Sequence, residues 1–330
     1  MMCLGIESTA HTFGASLVDS DDRIVTNVNS TYRPPVGAGI HPRKASEHLA
    51  TVAHSIVKTA LSTKDGSSID PDVIAYAAGP GLGPCLRIGA TVGRALSSFL
   101  KKPLVPVHHG VAHLDIAMSI AKARDPLAVL VSGGHTSILV HVGRRWRVYG
   151  ETQDITLGNL LDMFAREAKL PSPGGLSVSR QAMKGENLIK LPYTVKGNDV
   201  AYSGLLTAAA TLLHRQGNLA DLCFSLQETA FAMLSEAVER SLAQTRRSEV
   251  LLAGGVAASS RLREMISSVA EDHGASFHPV PVEYSGDCGA QIACSGRLAF
   301  NSGITISTSD SFVTPRWRMD EVDVPWIPRT

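Results

Sequence analysis

The chain opens with two short apolar runs around a small polar turn: Cys3–Ile6, then Glu7-Ser-Thr-Ala-His-Thr12, then Gly14–Val18. Two such runs about a tight turn predict a β-hairpin. The same pattern returns at Ala128–Val142, where Ser132-Gly-Gly-His-Thr136 separates the apolar segments. Each hairpin is followed by one more short strand, Arg23–Val28 and Arg145–Tyr149, and then by helical periodicity. Apolar spacing predicts helices over Ala45–Ser62, Ile88–Lys101, Leu219–Thr245 and Ser259–Ala270. Lone strands fit Val73–Ala78 and Val250–Ala253, each ending at glycines.

The recurring order of strand, turn, two strands and helix predicts a duplicated α/β unit. Two such units facing one another make the actin-like, ribonuclease H-like fold, in which the hairpin turns face a nucleotide's phosphates. Lobes are expected over 1–124 and 125–330. The first carries a Pro/Gly-rich insertion at about 30–44, within Tyr32–Arg43. The second carries a helical insertion at about 157–203 and an extended tail from about Asn301.

Composition narrows the class. The 330 residues are 44% hydrophobic and 18% charged, a globular balance long enough for two domains. No apolar run reaches the roughly 18 residues that span a bilayer, and MMCLGIEST lacks the basic-then-apolar pattern of a signal peptide. Five cysteines without a CxxC pair point to reduced thiols and a cytoplasmic protein. Lys+Arg number 31 against 30 for Asp+Glu. Nucleic-acid contact would therefore need a local basic patch or a partner.

Chemistry concentrates in a few words. His109 and His113 in VHHGVAHLD stand four apart at a predicted helix start, which puts both imidazoles on one face, one turn apart. His108 points elsewhere. Asp287 in YSGDCGAQIA begins an apolar helix and fits either a third ligand or a plain N-cap. The turns at Ser132-Gly-Gly-His135 and Gly254-Gly-Val256 allow close backbone approach to a ligand. The corner Gly79-Pro-Gly-Leu-Gly-Pro84 fits that role or tight helix packing equally well.

Together the words GIESTAHT, GIHPRKASEH, GPGLGPCLRIG, VHHGVAH, VSGGHT, GETQDITLGNLLD, PSPGG, YSGLL, AGGVAAS and SGDCGAQIA resemble the tRNA N6-adenosine threonylcarbamoyltransferase family. That family is TsaD in bacteria and the catalytic subunit of KEOPS in archaea and eukaryotes; the tail VTPRWRMDEVDVPW is similar to the archaeal branch. The resemblance implies transfer of a threonylcarbamoyl group from threonylcarbamoyl-AMP to N6 of the adenosine beside the anticodon, in tRNAs reading codons that begin with A. It implies one divalent metal ion, iron or zinc, on His109, His113 and Asp287. Substrate contacts fall on Leu130, Val131, Ser132, Gly133, Gly134, Asp162, Gly175, Ser179 and Ser259. ATP or another adenine nucleotide is a further expected ligand, and tRNA and KEOPS subunits including a small protein kinase are expected partners. Glu7, placed in the first turn, is a candidate for proton handling, with plain solvation as its alternative.

Three positions depart from the family pattern. Leu130 stands where archaeal members often carry a metal-ligating tyrosine, Ser179 where an acidic residue is usual, and Ser259 where asparagine is usual. A small-molecule kinase on the same fold is the rival enzyme class, but such kinases usually keep an aspartate in the first turn. A nucleotide-switched subunit without chemistry would not need the His109/His113/Asp287 set.

Overall fold

β1 (Cys3–Glu7) and β2 (Thr12–Val18) form the first hairpin, paired from Cys3 opposite Val18 to Glu7 opposite Gly14. Every residue of both strands is buried, because the sheet is covered on both faces there. β3 (Ile24–Thr31) alternates half-buried and exposed positions, as an edge strand does. After α1 (Pro42–Ala60), the strand β4 (Val73–Gly79) adds parallel to β1; after α2 (Gly83–Leu100), β5 (Leu104–His108) adds parallel to β4. The order is β3-β2-β1-β4-β5. Both helices start earlier than their apolar periodicity suggests, because each takes a proline into its first turn, where no donor is lost.

α3 (His109–Ala121) leads to the second sheet. There β6 (Leu127–Val131), β7 (Thr136–Val142) and β8 (Arg145–Glu151) repeat the hairpin-plus-strand pattern. The insertion contains α4 (Leu157–Glu167), α5 (Gly174–Ala182) and the short pair β9 (Val195–Lys196) and β10 (Asp199–Val200). α6 (Ser203–His214) and the 27-residue α7 (Leu219–Thr245) follow, then β11 (Glu249–Ala253), α8 (Ser260–Asp272), β12 (Ser276–Pro279), α9 (Val282–Ser285) and α10 (Gly289–Asn301). β11 runs parallel to β6, and β12 parallel to β11. The order β8-β7-β6-β11-β12 repeats that of the first sheet strand for strand, so the expected duplication holds. The computed structural model describes residues 1–62 and 66–327, and the last three residues of the predicted tail lie outside them.

Two helices carry the chain between the sheets. α10 packs on β1, β2, β4 and β5 of the first sheet and on α3; α3 in turn packs on β6 and β11 of the second. Glycine makes the α10 contact possible. A Cβ on Gly5 would stand 2.1 Å from the Ala293 nitrogen, and one on Gly289 would stand 2.6 Å from the backbone of Ala15 and Ser16. Backbone therefore lies on backbone, which fixes the start of α10 against the first hairpin. The tail straps this arrangement: Thr314 N donates to Ala78 O at 2.7 Å, and Val324 N to Arg144 O at 2.7 Å. Trp326 Nε1 donates to Asp115 Oδ1 of α3 at 3.1 Å.

Candidate metal and substrate site

The start of α3 sets two imidazoles. His108, at the end of β5, caps the helix by accepting from Val111 N at Nδ1 and donates from Nε2 to Trp317 O at 3.1 Å. Burial pushes its pKa down to about 4, so it stays neutral in that role. His109 and His113 then occupy one face one turn apart, with ring centroids 4.7 Å apart. Asp287, two residues before α10, closes the set: its Oδ1 lies 3.5 Å from His109 Nε2 and 3.4 Å from His113 Nε2. The cap of α10 is Cys288, with no side-chain cap bond, so Asp287 is not spent on the helix N-terminus.

Electrostatics bind the trio. Burial opposes charge on His109, but the carboxylates of Glu7 and Asp287 outweigh it and push its pKa up to about 9. Burial would raise Asp287, yet His109 and His113 hold it well below the usual carboxylate range. His113, buried as well, is lowered.

The residues fit a metal ion. Ligand atoms of His109, His113 and Asp287 all lie within 4.8 Å of one another, and the 3.4 and 3.5 Å from Asp287 Oδ1 to the two Nε2 atoms match what ligand-to-metal bonds of about 2.0–2.2 Å give at a tetrahedral angle. Neither ring nitrogen of His113 has a hydrogen-bond partner among the described residues, a cost that a ligand to Nε2 would relieve. Behind the set, His109 Nδ1 donates to Glu7 Oε2 at 3.0 Å. A carboxylate on the far ring nitrogen fixes the tautomer and leaves Nε2 as the free donor atom for a metal. Glu7 is the last residue of β1, fully buried, and its other oxygen accepts from Thr9 N and Thr9 Oγ1. Solvation as an alternative role for Glu7 is thereby excluded.

The predicted substrate positions gather around the second hairpin turn and the insertion, with differences among them. Leu130 and Val131 are fully buried in the second-lobe core. Gly133 and Gly134 are open, since a Cβ on either would meet nothing within 4 Å. Ser132 Oγ already accepts from Gly134 N and His135 N. Asp162 Oδ1 accepts from Gly174 N at 2.8 Å, and burial raises its pKa. Its carboxyl lines a cleft of about 230 Å³ between α4 and the first-lobe segment Pro34–Ile40. Gly175 is its neighbour on α5, whereas Ser179 donates to Gln227 Oε1 at 2.6 Å and Ser259 caps α8. The hydroxyls of Ser179 and Ser259 are thus engaged with protein.

The other glycine words separate too. The 79–84 corner serves packing: a Cβ on Gly79 would stand 2.0 Å from Thr314 O, and one on Gly81 2.5 Å from Thr9 O. Gly254 has φ +95° and lies against Val131 O, a conformation that favours glycine. The sequence words did not single out His11 within GIESTAHT. It lies near enough to act electrostatically on both Asp162 and Asp287, and its Nδ1 is buried without a partner among the described residues.

Two sheets of identical order, joined by helices whose starts bring a His/His/Asp group together, define an enzyme of the actin-like fold class. Among solved structures the chain is similar to HypF of T. kodakarensis, with TM-score 0.61 and 14% identity over 91% of this chain and 48% of that one. Residues 23–294 match the family described as TsaD, tRNA N6-adenosine threonylcarbamoyltransferase. A Caldivirga maquilingensis protein of that name is 50% identical over all of this chain and 99% of its own length. A Methanocaldococcus jannaschii protein named "Probable bifunctional tRNA threonylcarbamoyladenosine biosynthesis protein" is 46% identical over 99% of this chain and 61% of its own length. The chain belongs to the TsaD family of tRNA N6-adenosine threonylcarbamoyltransferases, enzymes of tRNA modification. No helix among the described residues is long and apolar enough to cross a membrane.

Proposed function

We propose that the chain takes threonylcarbamoyl-AMP as donor and modifies N6 of the adenosine beside the anticodon in tRNAs reading codons that begin with A. The observation that carries this reading is the convergence of His109, His113 and Asp287 into one group whose ligand atoms could hold a metal ion. In the reaction N6 attacks the carbamoyl carbon. A C–N bond forms, the C–O bond to the phosphate breaks, AMP leaves with the electron pair, and N6 gives up one proton. Iron or zinc on the His/His/Asp group would supply Lewis-acid stabilisation of charge on the carbamoyl oxygen.

The remaining work belongs to the chain's own side chains. Glu7 holds the His109 ring and is a positioning residue, because His109 and Thr9 engage both of its oxygens. Asp162 accepts from ribose hydroxyls, and Gly133 and Gly134 let the donor lie against bare backbone. ATP, as another adenine nucleotide, would use the same cleft. Positioning dominates, since the donor arrives activated.

A net charge of +1 leaves little long-range pull on tRNA. Partner subunits, including a small protein kinase, are expected to supply it and to cover apolar side chains such as Leu176 and Met183, which are exposed on and beside α5. The test is mass spectrometry of unmodified tRNA incubated with metal-loaded chain and threonylcarbamoyl-AMP. Slow modification by the chain alone, accelerated by partner subunits, is expected. Full-rate multiple turnover by the chain alone at physiological ionic strength would contradict the partner requirement. No modified adenosine even with partners present would contradict the reaction.

A further inference from the structure

The donor is linear: adenosine, then phosphate, then carbamoyl group. With the ribose at Asp162 and the carbamoyl group at the His/His/Asp set, the phosphate must lie between those two places. What the protein offers there is the turn joining β1 to β2.

Three observations bear on His11 of that turn. First, the hairpin carrying it lies directly on the segment behind Asp287, since a Cβ on Gly14 would stand 2.7 Å from Gly289 N and 3.3 Å from Cys288 C. Second, His11 O accepts from Tyr32 N at 2.7 Å, just ahead of the segment Pro34–Ile40 that walls the Asp162 cleft. The residue is thus tied on one side to the metal-ligand segment and on the other to the cleft wall. Third, its Nδ1 is buried with no partner among the described residues. A buried, unpaired ring nitrogen costs stability unless something else occupies it. Elsewhere in the turn, Thr9 is engaged by Glu7 and by Leu82 N, while Ser8 Oγ, likewise without a partner among the described residues, faces Gly89 of α2.

We propose that His11 is the phosphate-binding residue of this site, donating a ring N–H to a non-bridging oxygen of the donor's phosphate. Kinases of this fold usually place an aspartate in the first turn, which serves a phosphate through magnesium. A histidine in the turn reaches the same anion directly. The contact holds the phosphate while the C–O bond to it breaks, and it strengthens as charge grows on the departing AMP.

The inference rests on the adenylate reading of the cleft, and the test separates the two. Binding of AMP and of adenosine to the metal-loaded chain is measured by calorimetry for wild type, His11→Ala and His11→Gln. Loss of a charge-assisted hydrogen bond should weaken AMP by about tenfold or more in His11→Ala and leave adenosine within about twofold. His11→Gln, which keeps a donor, should recover part of the AMP affinity. Adenosine binding also reports that each variant is folded. Equal weakening of AMP and adenosine, or undiminished AMP binding in His11→Ala, overturns the role of His11 and leaves the cleft assignment standing. Absence of binding by either nucleotide in wild type overturns both.

Discussion

The two hairpins hold equivalent places in sheets of identical order, yet the strands of the first are packed tightly on α10 while the turn of the second stands open. The first hairpin begins its turn at a fully buried Glu7 that reaches across to His109, and its strands meet α10 glycine against glycine. The second turn exposes Gly133 and Gly134 with nothing near their missing side chains. Duplication thus supplied two similar frames that were put to different use. One is the mount for the His/His/Asp group, where tight packing determines geometry. The other leaves bare backbone, the space that the proposed donor would require.

The contrast breaks most visibly under a single methyl group. Gly5→Ala should cost about 3 kcal/mol or more of stability, since its Cβ overlaps the backbone of α10. Gly134→Ala should stay within about 0.5 kcal/mol. Urea midpoints of both variants check the pair; similar losses would mean that the two hairpins are packed alike.

A smaller effect is expected at the mount itself. Glu7→Ala should weaken zinc binding about 10- to 100-fold, as loss of a carboxylate behind a ligating histidine does. Glu7→Gln, able to accept from His109, should recover part of it. Chelator competition measures both, and unaltered zinc affinity in Glu7→Ala would remove its positioning role.

On the open side, Asp162→Ala should weaken adenylate binding by roughly 1–3 kcal/mol, read by calorimetry. Unchanged affinity would place the pocket elsewhere.

The smallest effect concerns pH. Burial lowers the pKa of His141 on β7, against a raising bond to the Val324 carbonyl. The unfolded value is about 6.5. The stability this group contributes is therefore full above that pH and is lost as pH falls from 6.5 toward the lower folded value. His141→Phe should flatten the decline in stability between about pH 6.5 and 5, measured by urea unfolding at each pH.

Much of this was legible in the chain. Hairpin patterns recur because strand alternation and small polar turns are local signals. The His109/His113 pair was legible because a helix brings i and i+4 onto one face. α6 was not, because SGLLTAAATLLH has no capping side chain and little one-sided periodicity. Glu7 was misplaced into the turn, since nothing local shows that β1 extends one residue further or that His109 lies above its end. Motifs suggest Asp287 as a third ligand, while spacing alone leaves it equally an N-cap; the glycine packing that seats α10 on the first hairpin brings it beside both imidazoles and leaves the cap to Cys288.

The central claim is that His109, His113 and Asp287 together hold one metal ion between the start of α3 and the start of α10. Elemental analysis of metal-loaded wild type and of the combined His109→Ala, His113→Ala, Asp287→Ala variant tests it directly. With circular dichroism confirming an intact fold, the account predicts about one bound ion per wild-type chain and none in the variant. A folded variant that kept a stoichiometric ion would contradict it.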